Sequence, residues 1–366
     1  MLNAVIMAGG AGTRFWPESR TTRPKQLLGM MGSRTMIQAT ADRLGDLAPP
    51  ERTYVATTAV LADQIAAALP ELPPGAILVE PCKRDTGPCI GLAAAAILRK
   101  DPDAIMAVMP SDHVIGPDET FQEAIRFAAS LVEEDRRRLV TFGIRPTYPA
   151  ETFGYIERAE PLTGDARKTK DEPAAFAVKK FHEKPKADVA SRYIESGNFY
   201  WNAGIFVWRA DTILETIARF QPKMIERLER IADAAGTPEA DEVLQREFAL
   251  IEPISIDLGV MERAENVVVV EAPFEWDDVG SWRALERLGR PDADANVIDA
   301  GRHIGLKTTG SIIRVQELGH LVVTMGVKDL IVIVTPDATL VADKHDEESI
   351  RKITQELRDR GWAEYL

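Results

Sequence analysis

Three close glycines followed by a run of cations are the residues in this chain best suited to chemistry. The segment from Asn3 to Gln26 reads NAVIMAGGAGTRFWPESRTTRPKQ, where an apolar stretch ends in Gly9, Gly10 and Gly12 and leads into Arg14, Arg20, Arg23 and Lys25. Glycine has no Cβ, so backbone N–H groups can approach an anion closely, and guanidinium or ammonium groups neutralise the charge that remains. Such a composition makes a polyphosphate cradle, and a nucleoside triphosphate is the ligand it suits. Two common phosphate loops are excluded by spelling. A Walker loop ends in Gly-Lys-Ser/Thr, whereas Gly12 leads into Thr13 and Arg14, and a dinucleotide fingerprint needs glycine where Phe15 stands. The alternative reading of the glycines is a tight turn after a buried strand, with solvated arginines around it. Concentrating the cations in one long loop favours the functional reading, and it makes Lys25 a solvent-accessible loop residue.

Elements must hold this loop. Apolar runs at Ala4 to Met7, Thr53 to Ala56, Ala76 to Val79, Ile105 to Met109 and Leu139 to Phe142 read as strands. Amphipathic periods at Val60 to Leu69, Gly87 to Arg99 and Phe121 to Glu134 read as the helices between them. This alternation predicts an α/β fold: a Rossmann-like mixed, mostly parallel sheet with helices on both faces. Ligands of such sheets bind outside the carboxyl ends of the strands, and both Gly9 to Arg14 and Ser111-Asp112-His113 directly follow a strand. The stretch from Phe153 to Phe206 is irregular apart from a helix over Ala187 to Ser196, and reads as an insertion forming the far wall of the pocket. Beyond Gly289 the runs SIIRV, LVVTM, LIVIV and TLVA recur without a helical period. They predict a small unit of short parallel strands, closed by a helix that places Ile350, Ile353 and Leu357 on one face. The expected domains are residues 1–288 and 289–366.

Composition narrows the function classes. A chain of 366 residues, 45% hydrophobic, has material for one large domain and a smaller one. The 44 basic against 57 acidic residues leave a net charge of -13, which argues against a nucleic-acid partner because a phosphate backbone demands a broad positive surface. No apolar stretch has a membrane-spanning length and no basic leader opens the chain, so a cytoplasmic protein without a membrane partner is expected. Cys82 and Cys89 do not form a zinc pattern, and the five histidines are scattered.

Several motifs occur together: GGAGTRFWPESRTTRPKQ at 9–26, VEPCKRDTGP at 79–88, MPSDH at 109–113, FGIRPTYPAETFGYIE at 142–157, FHEKP at 181–185, YWNAGIF at 200–206 and EWDDVGSW at 275–282. In that order they closely resemble the mannose-1-phosphate guanylyltransferases within the sugar nucleotidyltransferase superfamily. The C-terminal GVKDLIVIVTPDATLV resembles that family's left-handed β-helix fragment. The resemblance implies that mannose 1-phosphate attacks the α-phosphorus of GTP and releases pyrophosphate, a reaction catalysed by positioning and charge neutralisation. Arg14 and Lys25 would be catalytic. Ala8, Gly9, Gly10, Gly12, Thr13, Glu80, Arg84, Asp85, Thr86 and Ser111 would bind nucleotide. Asp112 and Asp278 match the family's Mg²⁺ carboxylates, although each taken alone reads as a turn or helix-cap aspartate, and Asp277 fits the pattern less well. Glu183 and Asn202 can accept from and donate to sugar hydroxyls, with Gly154 giving a close backbone approach and Lys184 meeting the sugar phosphate. Ala203 and Phe153 depart from the family's usual Ser and Tyr, so fewer sugar-side hydrogen bonds are expected. The resemblance further suggests a homodimer, and a transferase without the isomerase domain of bifunctional members.

Overall fold

The computed structural model describes residues 1–10, 12–30, 32–162 and 173–366, except for the side chains of Thr13, Glu347 and Glu348. These residues pack as two compact units. Unit 1 comprises Met1–Gly9, Thr40–Ser111 and Ile115–Trp276, and unit 2 comprises Gly10–Ala39, Asp112–Val114 and Asp277–Leu366. Packing therefore groups the chain differently from a cut at residue 288. The physical reason is apolar: Phe15, Trp16, Leu28 and Met30 share one core with Trp282, Ile312, Ile331 and Leu357, which assigns the glycine loop to the C-terminal strands.

Unit 1 is built on strands β1 (Leu2–Met7), β2 (Thr53–Thr58), β3 (Ile77–Glu80), β4 (Ile105–Pro110), β5 (Leu139–Ile144), β6 (Tyr155–Pro161), β7 (Ala175–His182), β8 (Phe199–Arg209) and β9 (Val267–Glu271). They form one mixed sheet in the order β3-β2-β1-β4-β8-β5-β9-β7-β6. Strands β1 to β4 run parallel, as do β5 and β9, whereas β8 pairs antiparallel with both β4 and β5. Ala4, Val5 and Ile6 are fully buried because both faces of the sheet are covered. The helix Thr86–Leu98 packs over β1 to β3, and the helix Asp118–Glu134 over β4, β5 and β8. Strand β1 lies between β2 and β4, so the chain order reverses there, and the crevice outside the carboxyl ends of β1 and β4 is the topological switch point of the sheet.

The region from Phe153 to Phe206 is not an irregular insertion. It supplies β6 and β7 at one edge and β8 in the interior of the sheet. Strands β6 and β7 expose part of their length, which breaks the apolar alternation that betrays a strand in sequence.

Unit 2 contains β10 (Val297–Asp299), β11 (Arg302–Leu306), β12 (Ile312–Val315), β13 (Leu321–Met325), β14 (Leu330–Val334) and β15 (Thr339–Asp343). Strands β10, β12 and β14 pair in parallel, β11 and β13 form a second parallel row, and β15 returns antiparallel beside β14. Short strands stacked in register make a β-helix-like coil, with Ile312, Ile331, Ile333 and Leu340 in its core. The helix Ile350–Asp359 closes it, burying Ile350 and Leu357. Arg314 of β12 clamps the incoming loop through its Nε to Glu18 Oε1, its Nη2 to the Gly29 carbonyl and its Nη1 to Asp299 Oδ2, each at 2.6 Å.

Candidate active site

In unit 2 a cavity of about 510 Å³ is lined by Gly12, Arg14, Phe15, Lys25, Asp112, His113, Asp278, Val279, Gly280 and Arg351. Four remote stretches of sequence meet there. Gly12 has a φ of +57°, and a Cβ on it would lie 2.4 Å from the backbone nitrogen of Lys25, so only glycine lets the turn pass so close to the lysine. Lys25 opens a short 3₁₀ turn and is buried, with 5% of its surface exposed, which corrects the expectation of a solvent-accessible loop residue. The reason is its pairing: Nζ donates to Asp112 Oδ2 at 2.9 Å and to the Asp278 carbonyl at 2.6 Å. Arg14 donates to the Gly280 carbonyl at 3.2 Å, and Gln26 donates to the carbonyl of Gly10 at 3.1 Å.

The two aspartates differ electrostatically. Burial pushes the Asp112 carboxyl up, but the Lys25 ammonium beside it and His113 outweigh that push and hold it below its ordinary value. Burial raises the Asp278 carboxyl, and Lys25 only partly offsets this while Asp277 adds to it. Asp277 itself is engaged elsewhere, accepting from Val279 N at 2.7 Å and from Arg287 Nη2 at 2.9 Å. Asp112 and Asp278 thus line one cavity, and two carboxylates there are a donor set that suits a hard divalent cation. Among the described residues no group of three or more acidic, His or Cys side chains could hold a metal alone, so oxygens from a ligand would have to complete the shell. Of the loop cations, Arg20 is tied to Asp337 at 2.9 Å and Arg23 is exposed. Arg351 was missed in the sequence, where the terminal helix signalled only packing; its place next to the buried Ile350 is what brings it to the cavity wall.

In unit 1, Ala8 and Ser111 follow β1 and β4, with their backbones held by Ala8 N to Ala56 O at 2.8 Å and Ser111 N to Met7 O at 3.0 Å. Glu80, at the end of β3, is 5% exposed, its Oε1 has no hydrogen-bond partner, and burial pushes its carboxyl up to about 7. A Cβ on Gly9 would touch Glu80 Oε2 at 3.4 Å, so the first glycine of the turn and this carboxyl are neighbours. Arg84, Asp85 and Thr86 already have internal partners. Arg84 Nη2 donates to the Ala249 carbonyl at 2.5 Å, Asp85 caps its helix by accepting from Thr86 N at 2.7 Å, and Thr86 Oγ1 accepts from Ile256 N at 2.9 Å. The side chain of Thr13 lies outside the described residues.

A second group in unit 1 gathers Gly154, Glu183, Lys184 and Asn202. A Cβ on Gly154 would lie 3.1 Å from Glu183 Oε2, and the Gly154 carbonyl accepts from Asn202 N at 2.9 Å. Lys184 pairs with Glu183. Asn202 sits where the β5–β8 register slips between Thr141 and Gly143, an irregularity that re-aims a side chain out of the ladder. Sequence reasoning missed Asp257, whose Oδ1 accepts from Asn202 Nδ2 at 2.8 Å. Its only local signal was an acidic residue in the run SIDLGVM.

A glycine turn and a lysine set between two aspartates fit a nucleotidyl transferase, and the nucleotidyl transferase family model matches residues 3–294. A model of the MannoseP isomerase/GMP-like β-helix domain matches residues 301–357. Mannose-1-phosphate guanylyltransferase of Escherichia coli strain K12 is 37% identical over the whole chain, which spans 75% of that relative. Mannose-1-phosphate guanylyltransferase ManC of Salmonella typhimurium is also 37% identical, over 100% of the chain and 75% of its own length. The crystal structure of mannose-1-phosphate geranyltransferase from Thermus thermophilus superposes with a TM-score of 0.86 at 35% identity, covering 98% of this chain and 99% of that one. The chain belongs to the mannose-1-phosphate guanylyltransferase family of nucleotidyl transferases.

Proposed function

We propose that the protein transfers GMP from GTP to mannose 1-phosphate, forming GDP-mannose and pyrophosphate. The observation that carries this reading is the convergence of Gly12, Lys25, Asp112 and Asp278 on one cavity. An oxygen of the sugar phosphate attacks the α-phosphorus in line, a new P–O bond forms, and the bond to the β-phosphate breaks with its electron pair on pyrophosphate. The nucleophile is already an anion, so no general base is needed. Lys25 neutralises the α-phosphoryl group and the incoming phosphate. Arg14, Arg351 and the N–H groups of Gly10 and Gly12 take the charge that develops on the leaving pyrophosphate. Mg²⁺, held by Asp112 and Asp278, would supply further charge neutralisation between the two anionic reactants.

Glu80 suits guanine. The base offers two adjacent donors, N1–H and the N2 amino group, and one buried carboxylate with an unspent oxygen accepts both. Gly154, Glu183, Lys184 and Asn202 are assigned to the sugar and its phosphate. The proposed compartment is the cytoplasm, a reading supported by the free thiols Cys82 and Cys89; no described helix is long and apolar enough to cross a membrane. A homodimer is proposed through the outer face of β11 and β13, where Ile304, Leu306, Leu321, Val323 and Met325 are exposed side by side.

Turnover with each of the four NTPs against a panel of sugar 1-phosphates, with and without Mg²⁺, tests the reading. GTP with mannose 1-phosphate should be fastest and should stop on chelation; equal or better use of UTP with glucose 1-phosphate would overturn the substrate assignment. Lys25→Ala should lower kcat by about 100-fold or more, on the scale of losing a charge stabiliser. Because that change also strands the half-buried Asp112, its Tm should fall, so kcat is read below the variant's own melting range.

A further inference from the structure

We infer that Asp257 is an additional sugar-contact residue: its carboxylate, oriented by the Asn202 amide, accepts a hydrogen bond from a hydroxyl of the sugar 1-phosphate. The inference rests on the assignment of Gly154, Glu183 and Asn202 to the sugar. The Asn202 side chain is nearly saturated. Its Oδ1 accepts from Gly204 N at 3.1 Å and shares the single Thr141 hydroxyl hydrogen, 3.2 Å away, with the Ile205 carbonyl at 3.1 Å, while its Nδ2 donates to Asp257 Oδ1 at 2.8 Å. One N–H remains, so what Asn202 chiefly offers the sugar is a donor. A sugar hydroxyl presents a hydrogen as well as lone pairs, and the carboxylate of Asp257, bonded to the same amide nitrogen, supplies the matching acceptor.

A purely structural carboxylate here would be costly. Among the described residues no Lys or Arg pairs with Asp257, and the charges that act on it are the like-signed Glu183 and Glu262. Burial first, and then Glu183, push its carboxyl up to about 6, with the Asn202 hydrogen bond pulling the other way. A half-buried carboxyl without a cation is explained by a ligand that brings hydroxyl donors. Its backbone supports the same purpose. Asp257 opens a π-helical turn, Asp257–Met261, a geometry frequent at functional sites. The preceding segment is fastened to the candidate nucleotide loop by Ile254 N to Arg84 O at 3.2 Å, Gly87 N to Ile254 O at 3.0 Å and Ile256 N to Thr86 Oγ1 at 2.9 Å. One short strap thereby holds the acceptor for the sugar and braces the loop assigned to the nucleotide.

Full-length Asp257→Asn and Asp257→Glu, assayed with GTP and mannose 1-phosphate both varied, test the inference. Asp257→Asn is expected to raise KM for mannose 1-phosphate at least tenfold and to leave KM for GTP within twofold. Of the singly deoxygenated mannose 1-phosphates, the one lacking the contacted hydroxyl should be used equally by wild type and variant. An unchanged KM for the sugar overturns the inference, as does a parallel rise in both KM values, which would make Asp257 only a brace for the Arg84–Gly87 loop. Should Asp257→Asn fail to fold, Asp257→Glu gives the same reading, because it keeps the charge and displaces it by one methylene. A wild-type enzyme that turns over no sugar 1-phosphate with GTP, but does so with another NTP, removes the guanylyl reading and leaves the Asp257 test intact with that NTP.

Discussion

At the scale of single residues, the chemistry of this protein depends on which polar groups are already spent. Arg84, Asp85 and Thr86 look equally able to meet a base in sequence, yet each has an internal partner, whereas Glu80 is buried with an unused oxygen. That contrast makes Glu80 the residue to substitute. Glu80→Gln keeps the shape but turns one acceptor into a donor that would oppose the donors of guanine. It should lower kcat/KM for GTP by about 10- to 100-fold, the range expected for an unmatched buried polar group, and narrow the preference for GTP over ATP and UTP. Steady-state kinetics with the three nucleotides checks this; an unchanged GTP preference would exclude Glu80 from base recognition. Asp278 and Asp277 differ in the same way. Neighbours in sequence, they part because Arg287 and the Val279 amide occupy Asp277 while Asp278 lines the cavity.

At the scale of elements, helices Pro222–Ala234 and Ala240–Ala249 are joined by one carboxylate. Glu247 accepts from Arg227 at 2.7 Å, from Arg246 at 3.0 Å and from Arg230 at 3.3 Å. These hydrogen bonds, with Arg227 contributing most, lower its carboxyl to about 2. The folded value lies below the unfolded one, so the stabilisation is fully present above the unfolded pKa of about 4.3 and is lost as pH falls toward the folded value. Glu247→Gln should therefore unfold at lower urea than wild type at pH 6, and the gap should close as the pH approaches about 2. A gap independent of pH would show that packing of the side chain, and not its charge, links the two helices.

At the scale of the whole molecule, the exposed apolar row on β11 and β13 marks the surface where a second copy is proposed. Register pairs Ile304 with Val323 and Leu306 with Met325, so the outward side chains form one continuous strip. Val323→Glu places a charge in that strip without entering the core, since Val323 is 55% exposed. Light scattering should show the mass halved in the variant while secondary structure and Tm stay near wild type; a wild type that is already monomeric at working concentration would refute the proposed dimer.

The local order of the chain was legible because short-range physics dictates it. Parallel strands covered on both faces must be continuously apolar, which is why β1, β2, β4 and β5 stand out as runs, and the glycines and cations of residues 9–25 stand out because they fall in one short segment. The repeating β runs after Gly289 and the apolar face of the last helix were likewise visible, since each is a periodicity within one segment. Tertiary structure alone decided what depended on partners distant in sequence. It buried Lys25 between Asp112 and the Asp278 carbonyl, packed Phe15 and Trp16 of the glycine loop into the core of the C-terminal coil, and placed Arg351 in the cavity wall. It also threaded β8 between β4 and β5 and set Asp257 against Asn202. Burial and hydrogen-bond satisfaction are properties of neighbourhoods, and those neighbourhoods exist only once the chain has closed on itself.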